Sequence, residues 1–208
     1  MIKEEIILRQ ASQPTRDQGM RPTCIAFALT EVELVAAPGI QALSPEYLYQ
    51  SAAQQTPGWL PHAGVPLGAA LAAATAGQPA EADYPYQAIE PTLPISPLPS
   101  SFALYGLPVR YYSTDVAQIV QALRNGVPIG LGLQLTDSFH HPVSGVIAFE
   151  TDIRPDELHA VTAVGLGWDH GEFYFMVRNS WGVGWGIQGN AWLPATYVHA
   201  HALCTFGV

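Results

Sequence analysis

Cys24, His159 and Asn179 are the side chains in this 208-residue chain that could together make a nucleophile. A thiol attacks as its thiolate, a neighbouring imidazole can take the proton, and an amide oxygen can hold that imidazole in one orientation. Cys24 lies in "RPTCIAFALTEVEL", at the head of an apolar run. The unpaired N–H groups and the dipole of a helix N-terminus would favour a thiolate there. His159 lies in "ELHAVTAVGLGWD" and Asn179 in "VRNSWGVGWGIQG", just before Trp181. Each residue also has a plainer explanation, since a free cysteine is commonly a buried core residue.

The elements that must carry these residues change character along the chain. Thr23 is placed to cap a helix from Cys24 to about Ala36, closed by Pro38–Gly39. "LSPEYLYQSAAQQ" starts a second helix, with Ser44 as cap, Pro45 in the first turn and Glu46 favouring the dipole. "GVPLGAALAAATAG" is a third, ended by Gly77, and a Pro-rich crossover follows it. "STDVAQIVQALRNG" is a fourth, amphipathic helix. Thereafter "VPIGLGLQL", "SGVIAFE", "HAVTAVGLGWD", "EFYFMVRNSW" and "GNAWLP" read as strands. Helices first and strands last predict an α+β fold.

Composition narrows the function classes. Hydrophobic residues make up 49% and charged residues 12%, with a formal charge of −9. A core-forming chain without clustered Lys and Arg is not expected to bind nucleic acid, and no apolar stretch is long enough to span a membrane. The two cysteines, Cys24 and Cys204, are expected to be free thiols, and no metal site or cofactor is expected. His62, His140, His141, His170, His199 and His201 read as loop or surface residues. Trp185 reads as a core aromatic and Asp17 as a turn residue. Asp152, Asp156 and Glu157 read as an acidic loop, either a solvated face or a preference for basic residues near the site.

Five stretches occurring in one order resemble the papain-like cysteine peptidases: "DQG" with Cys24, "LSPEYLY", "YPY", "HAVTAVGLG" and "NSWGVGWGIQG". His159 and Asn179 follow Cys24 by 135 and 155 positions, and Gln18 precedes it by six. The resemblance implies a single domain over 1–208 in two lobes, a helical lobe of about 17–100 and an antiparallel β lobe of about 101–200, with the active-site cleft between them. It also implies a Cys24 nucleophile with a lowered pKa, His159 as base and acid, Asn179 as its orienting group and Trp181 as a shield. Gln18, with the Cys24 N–H, would form the oxyanion hole. Gly64 would hydrogen-bond an extended substrate. Val65, Pro66 and Leu158 would line an apolar pocket for the second residue before the scissile bond.

The same resemblance exposes departures. Arg21 stands where the family has a disulfide cysteine, and that cysteine's partner is absent from "TPGWLPHAG". Ile25 replaces a tryptophan, and Ala63 replaces a frequent glycine. The chain begins about where a mature family member would, so no prosegment is expected. Narrow specificity or a regulatory or inhibitory protein partner is expected to restrain it. The expected location is cytoplasmic, with export as an effector left open. The expected activity is selective endopeptidase cleavage of peptide or protein substrates. The alternatives are acyl transfer or ligation on the same triad, and a catalytically silent peptide-binding module.

Overall fold

Alanine- and leucine-rich segments of the first third coil into helices, and β-branched and aromatic segments of the second half pair into one sheet. The computed structural model describes residues 1–8, 14–37, 39 and 42–208. A short strand, β1 (Lys3–Ile7), precedes helices α1 (Cys24–Ala36), α2 (Pro45–Gln54) and α3 (Leu67–Ala76). After the crossover come β2 (Arg110–Tyr112), α4 (Val116–Arg124), β3 (Ile129–Thr136) and α5 (Asp137–His140). The chain then forms β4 (Ile153–Asp169), β5 (Glu172–Arg178), β6 (Asn190–Pro194), α6 (Ala195–His201) and β7 (Ala202–Gly207). The sheet has seven strands in the order β2-β7-β3-β4-β5-β6, with β1 paired to β4.

Helix α1 is buried from Ala26 to Val35, so its polar residues must find internal partners. Thr30 Oγ1 lies 2.8 Å from the Ala26 carbonyl and 2.9 Å from Gln78 Oε1, two acceptors that share its one hydrogen. Gln78 Nε2 donates to Glu33 Oε2 at 2.6 Å, and the Leu107 N–H donates to Glu33 Oε1 at 3.0 Å. Burial nevertheless pushes the Glu33 carboxyl up to about 7. Ser44 caps α2 as expected, accepting from the Tyr47 N–H at 3.0 Å. Gly77, at φ +102°, ends α3. Pro38, expected to close α1, lies outside the described residues.

The helices and the sheet hold separate apolar clusters. One gathers α1–α3 with Trp59 and Val109, and the other lies between the sheet, α4 and α6. Ala160 of β4 and Phe206 of β7 belong to the helical cluster, so the helices rest on the sheet. Thr162 Oγ1 donates to the Ala28 carbonyl at 2.9 Å and fixes α1 along β4.

One strand expected from the sequence does not form. "SGVIAFE" is not a strand: Ser144 and Gly145 both adopt positive φ, 52° and 76°, and turn the chain. Only isolated bridges, Val143 with Val146 and Val146 with Trp192, form there. Strands β1, β2 and β7 and helices α5 and α6 were also not expected. β7, "ALCTFG", is a short, mostly apolar run without strict alternation, which periodicity alone does not separate from a buried helix segment, and pairing with β3 stabilises it.

Candidate active site

Helix α1 begins at Cys24, and strand β4 passes its N-terminus at His159–Ala160. Thr23 occupies the cap position without a side-chain cap bond. Its Oγ1 instead pairs with the Tyr86 hydroxyl at 2.9 Å, which corrects the expected cap. The Ala26 and Phe27 N–H groups are satisfied by the Thr23 carbonyl. The N–H groups of Ala160, Ile25 and Cys24 itself therefore favour the thiolate, but burial outweighs them and pushes the Cys24 thiol up. That is the reverse of the lowered thiol pKa expected from the sequence.

His159 pairs across the ladder with Leu133, on a strand buried from its position to Gly167. Its Nε2–H donates to Asn179 Oδ1 at 2.6 Å. The Ser180 N–H donates to the same oxygen at 2.7 Å, which requires the amide oxygen to face the imidazole. Nδ1 is then the nitrogen left with a free lone pair. Burial pulls His159 down to about 4, opposed by its bond to Asn179 and aided by the neighbouring His140.

Asn179 lies one residue beyond β5, where the chain leaves the sheet. The Trp181 ring lies 4.5 Å from the His159 ring between centroids, and Phe139 lies 6.0 Å from it. Trp185 is buried and packs at a tilt against Phe139, 5.4 Å between ring centroids, with its Nε1–H donating to the Phe139 carbonyl at 3.0 Å. The expected core role of Trp185 agrees with this packing. The Trp181, Phe139 and Trp185 rings thus pack together beside the His159 ring.

Gln18 is tied to the Asn179 loop. Its N–H donates to the Ser180 carbonyl at 2.9 Å, and the Gly182 N–H donates to the Arg16 carbonyl at 3.0 Å. Ser180 Oγ donates to Gln18 Oε1 at 2.6 Å, which leaves Nε2 as the donor end. One Nε2 hydrogen goes to the Arg21 carbonyl at 2.8 Å. Asp17 accepts from the Gly19 N–H at 2.8 Å and, as expected, shapes the turn.

Gly64 adopts φ +69°, and a Cβ there would lie 3.5 Å from the Pro22 carbonyl oxygen. Trp59 Nε1–H donates to the Gly64 carbonyl at 2.6 Å. Val65 packs on the helical cluster, as do Cys24 and Ile25. Pro66 and Leu158 face solvent from different elements, at the start of α3 and on β4.

Three residues read as surface groups have specific partners. His140 stacks on the face of Trp181 at 5.1 Å, and its Nε2 is 2.9 Å from Glu157 Oε2. Arg154 Nη1 holds the other Glu157 oxygen at 2.8 Å, so Glu157 is not simply a solvated acid. His201 is buried, with Nε2 2.7 Å from the Glu150 carbonyl. No short-range sequence signal pairs His140 with Trp181 or His201 with Glu150. Among the described residues no group of three or more acidic, His or Cys side chains could hold a metal, and no helix is long and apolar enough to cross a membrane.

The arrangement of helices against one antiparallel sheet is the papain-like α+β fold. The crystal structure of xylellain, a cysteine protease from Xylella fastidiosa, superposes with a TM-score of 0.79 at 19% identity, covering 100% of this chain and 86% of that one. The model of the papain family cysteine proteases matches residues 5–201, and the chain belongs to that family. It is 38% identical over 77 residues to pro-cathepsin H of Mus musculus, covering 36% of this chain and 23% of that protein. It is 34% identical over 118 residues to cathepsin Q of Rattus norvegicus, covering 54% of this chain and 34% of that protein. The matched segments thus span between about a quarter and a third of the lengths of these curated relatives.

Proposed function

We propose that the protein is a cysteine peptidase that cleaves peptide bonds through a thioester acyl-enzyme, with Cys24, His159 and Asn179 as its triad. The observation that carries the reading is the 2.6 Å bond from His159 Nε2 to Asn179 Oδ1, on a strand whose next residue, Ala160, directs its N–H at the Cys24 thiol. Burial opposes a lone thiolate and a lone imidazolium alike, so the two charges form together as the proton passes from sulfur to Nδ1. Sulfur bonds to the substrate carbonyl carbon, and its oxygen takes the negative charge. The second Gln18 Nε2–H and the Cys24 N–H stabilise that oxygen. The intermediate collapses, the carbon–nitrogen bond breaks and His159 returns its proton to the leaving amine. Water, deprotonated by His159, then attacks the thioester and releases the acid and the thiol. The scheme needs no cofactor.

Trp181 keeps water from competing for the His159–Asn179 bond, which preserves its strength in a low-dielectric site. Gly64 offers its N–H to an extended substrate backbone. Val65, Pro66 and Leu158 favour an apolar side chain on the second residue before the scissile bond, in a selective endopeptidase. The test is cleavage of a peptide library varied at that position, with Cys24→Ala as control. Internal cleavage after an apolar second residue, lost in Cys24→Ala, supports the reading. A preference for Arg or Lys there overturns the pocket, and equal turnover by Cys24→Ala overturns the mechanism.

A further inference from the structure

Arg21 is a cation buried beside the nucleophile, only 4% exposed, and it occupies the position where the family carries a disulfide cysteine. Its Nη1 donates to Glu46 Oε2 and to the Gln87 carbonyl. Its Nη2 donates to Glu46 Oε1 at 3.2 Å and to Glu90 Oε2 at 3.4 Å. The guanidinium also lies 5.2 Å from the Tyr49 ring centroid and 5.0 Å from that of Tyr86. The carboxylates are themselves held. Gln50 Nε2 donates to Glu46 Oε1 at 2.7 Å, the Gln87 N–H donates to Glu46 Oε2 at 3.1 Å, and the Tyr49 hydroxyl donates to Glu90 Oε1 at 3.2 Å. One side chain therefore ties the loop before Cys24 to α2 and to the Pro-rich crossover.

The backbone of the same residue faces the site. The Arg21 carbonyl accepts from Gln18 Nε2 at 2.8 Å and from the Thr23 N–H at 2.8 Å. Its direction sets where the remaining Gln18 hydrogen points. A surface arginine could not hold that carbonyl, because an exposed ion pair competes with water and side-chain entropy. A buried guanidinium held by two carboxylates and the Gln87 carbonyl can, and losing its charge would leave both carboxylates buried without a counter-charge.

We propose that Arg21 is a positioning residue for Gln18: its buried pairing with Glu46 and Glu90 fixes the carbonyl that aims the oxyanion donor. This rests on the reading of Gln18 given above. The probes are a peptidyl aldehyde and iodoacetamide. Cys24 adds to the aldehyde carbon, the thiol proton ends on the former carbonyl oxygen, and that oxygen occupies the oxyanion site. Iodoacetamide alkylates sulfur and expels iodide without using that site. Arg21→Lys keeps the charge but loses the fork, and Glu46→Gln is a second, milder perturbation. In either variant the aldehyde inhibition constant is expected to rise about tenfold and kcat to fall alongside it, with KM and the alkylation rate held within about twofold. Gln18→Ala is expected to weaken the aldehyde at least as much, and adding Arg21→Lys to it should cost nothing further.

If Gln18→Ala weakens the aldehyde and neither Arg21→Lys nor Glu46→Gln does, the role of Arg21 is overturned and that of Gln18 stands. An aldehyde affinity unmoved by Gln18→Ala overturns both. Losses that add fully in the double variant, or that fall equally on aldehyde binding and alkylation, reduce Arg21 to general stability and overturn the proposal.

Discussion

Between pH 4.5 and 6.5 the stability of this protein should be nearly independent of two buried groups, because they titrate in opposite senses. His159 is pulled from 6.5 to about 4 by burial, and Glu33 is pushed from 4.5 to about 7. As pH falls below 6.5, the unfolded chain protonates His159 while the fold does not, so stability falls until about pH 4. As pH rises above 4.5, the unfolded chain ionises Glu33 while the fold keeps its proton, so stability falls until about pH 7. At ~1.4 kcal/mol per tenfold change in proton affinity, each group contributes about 3 kcal/mol over its range. The perturbation is His159→Leu, made in a Cys24→Ala background so that self-cleavage cannot interfere. Urea unfolding followed by tryptophan fluorescence supplies the free energy at each pH. The gap in stability between parent and variant should shift by about 3 kcal/mol in the parent's favour from pH 4 to pH 6.5, leaving Glu33 to make the variant weaken as pH rises. Parallel curves for parent and variant across that range would show that His159 is not held neutral by burial.

Further consequences concern single contacts. Asn179→Ala leaves His159 Nε2–H without its acceptor and free to rotate, and kcat should fall roughly ten- to hundredfold in steady-state assays; unchanged kcat would remove Asn179 from the triad. Trp59→Phe deletes the donor to the Gly64 carbonyl, and KM should rise a few-fold with kcat preserved; a fall confined to kcat would contradict a binding role for that loop. Gly130→Ala would place a Cβ 1.9 Å from the Phe206 ring, where the helical cluster meets the sheet. Overpacking there should cost about 1–3 kcal/mol in urea unfolding, and a neutral result would contradict the tight β3–β7 contact.

Much of the helical half could be read because its signals are local. Ser44, Pro45 and Glu46 announce α2 within three residues, and Gly77 ends α3 at the predicted place. The α1 limits also agree, although its cap works through the Thr23 carbonyl, since Tyr86, far along the chain, takes the hydroxyl. The sheet was harder because pairing partners decide it. "SGVIAFE" looks as β-prone as β5 but is turned away at Ser144–Gly145, while "ALCTFG" becomes a strand through β3. At the site, Cys24, His159, Asn179 and Gln18 were named from the sequence, and the geometry now gives each of them neighbours. The supports were not legible: the His140–Trp181 stack and the Arg21–Glu46–Glu90 cluster join residues from distant segments, and no spacing rule links them.

The direct test of the account is covalent labelling with a thiol-directed peptidyl epoxide, read by intact mass. Wild type, Cys24→Ala and His159→Ala are compared under native conditions, with peptide mapping to locate the adduct. One adduct is expected on wild type, located at Cys24, absent from Cys24→Ala and strongly slowed in His159→Ala. An unlabelled wild type, or an adduct on Cys204, would contradict it.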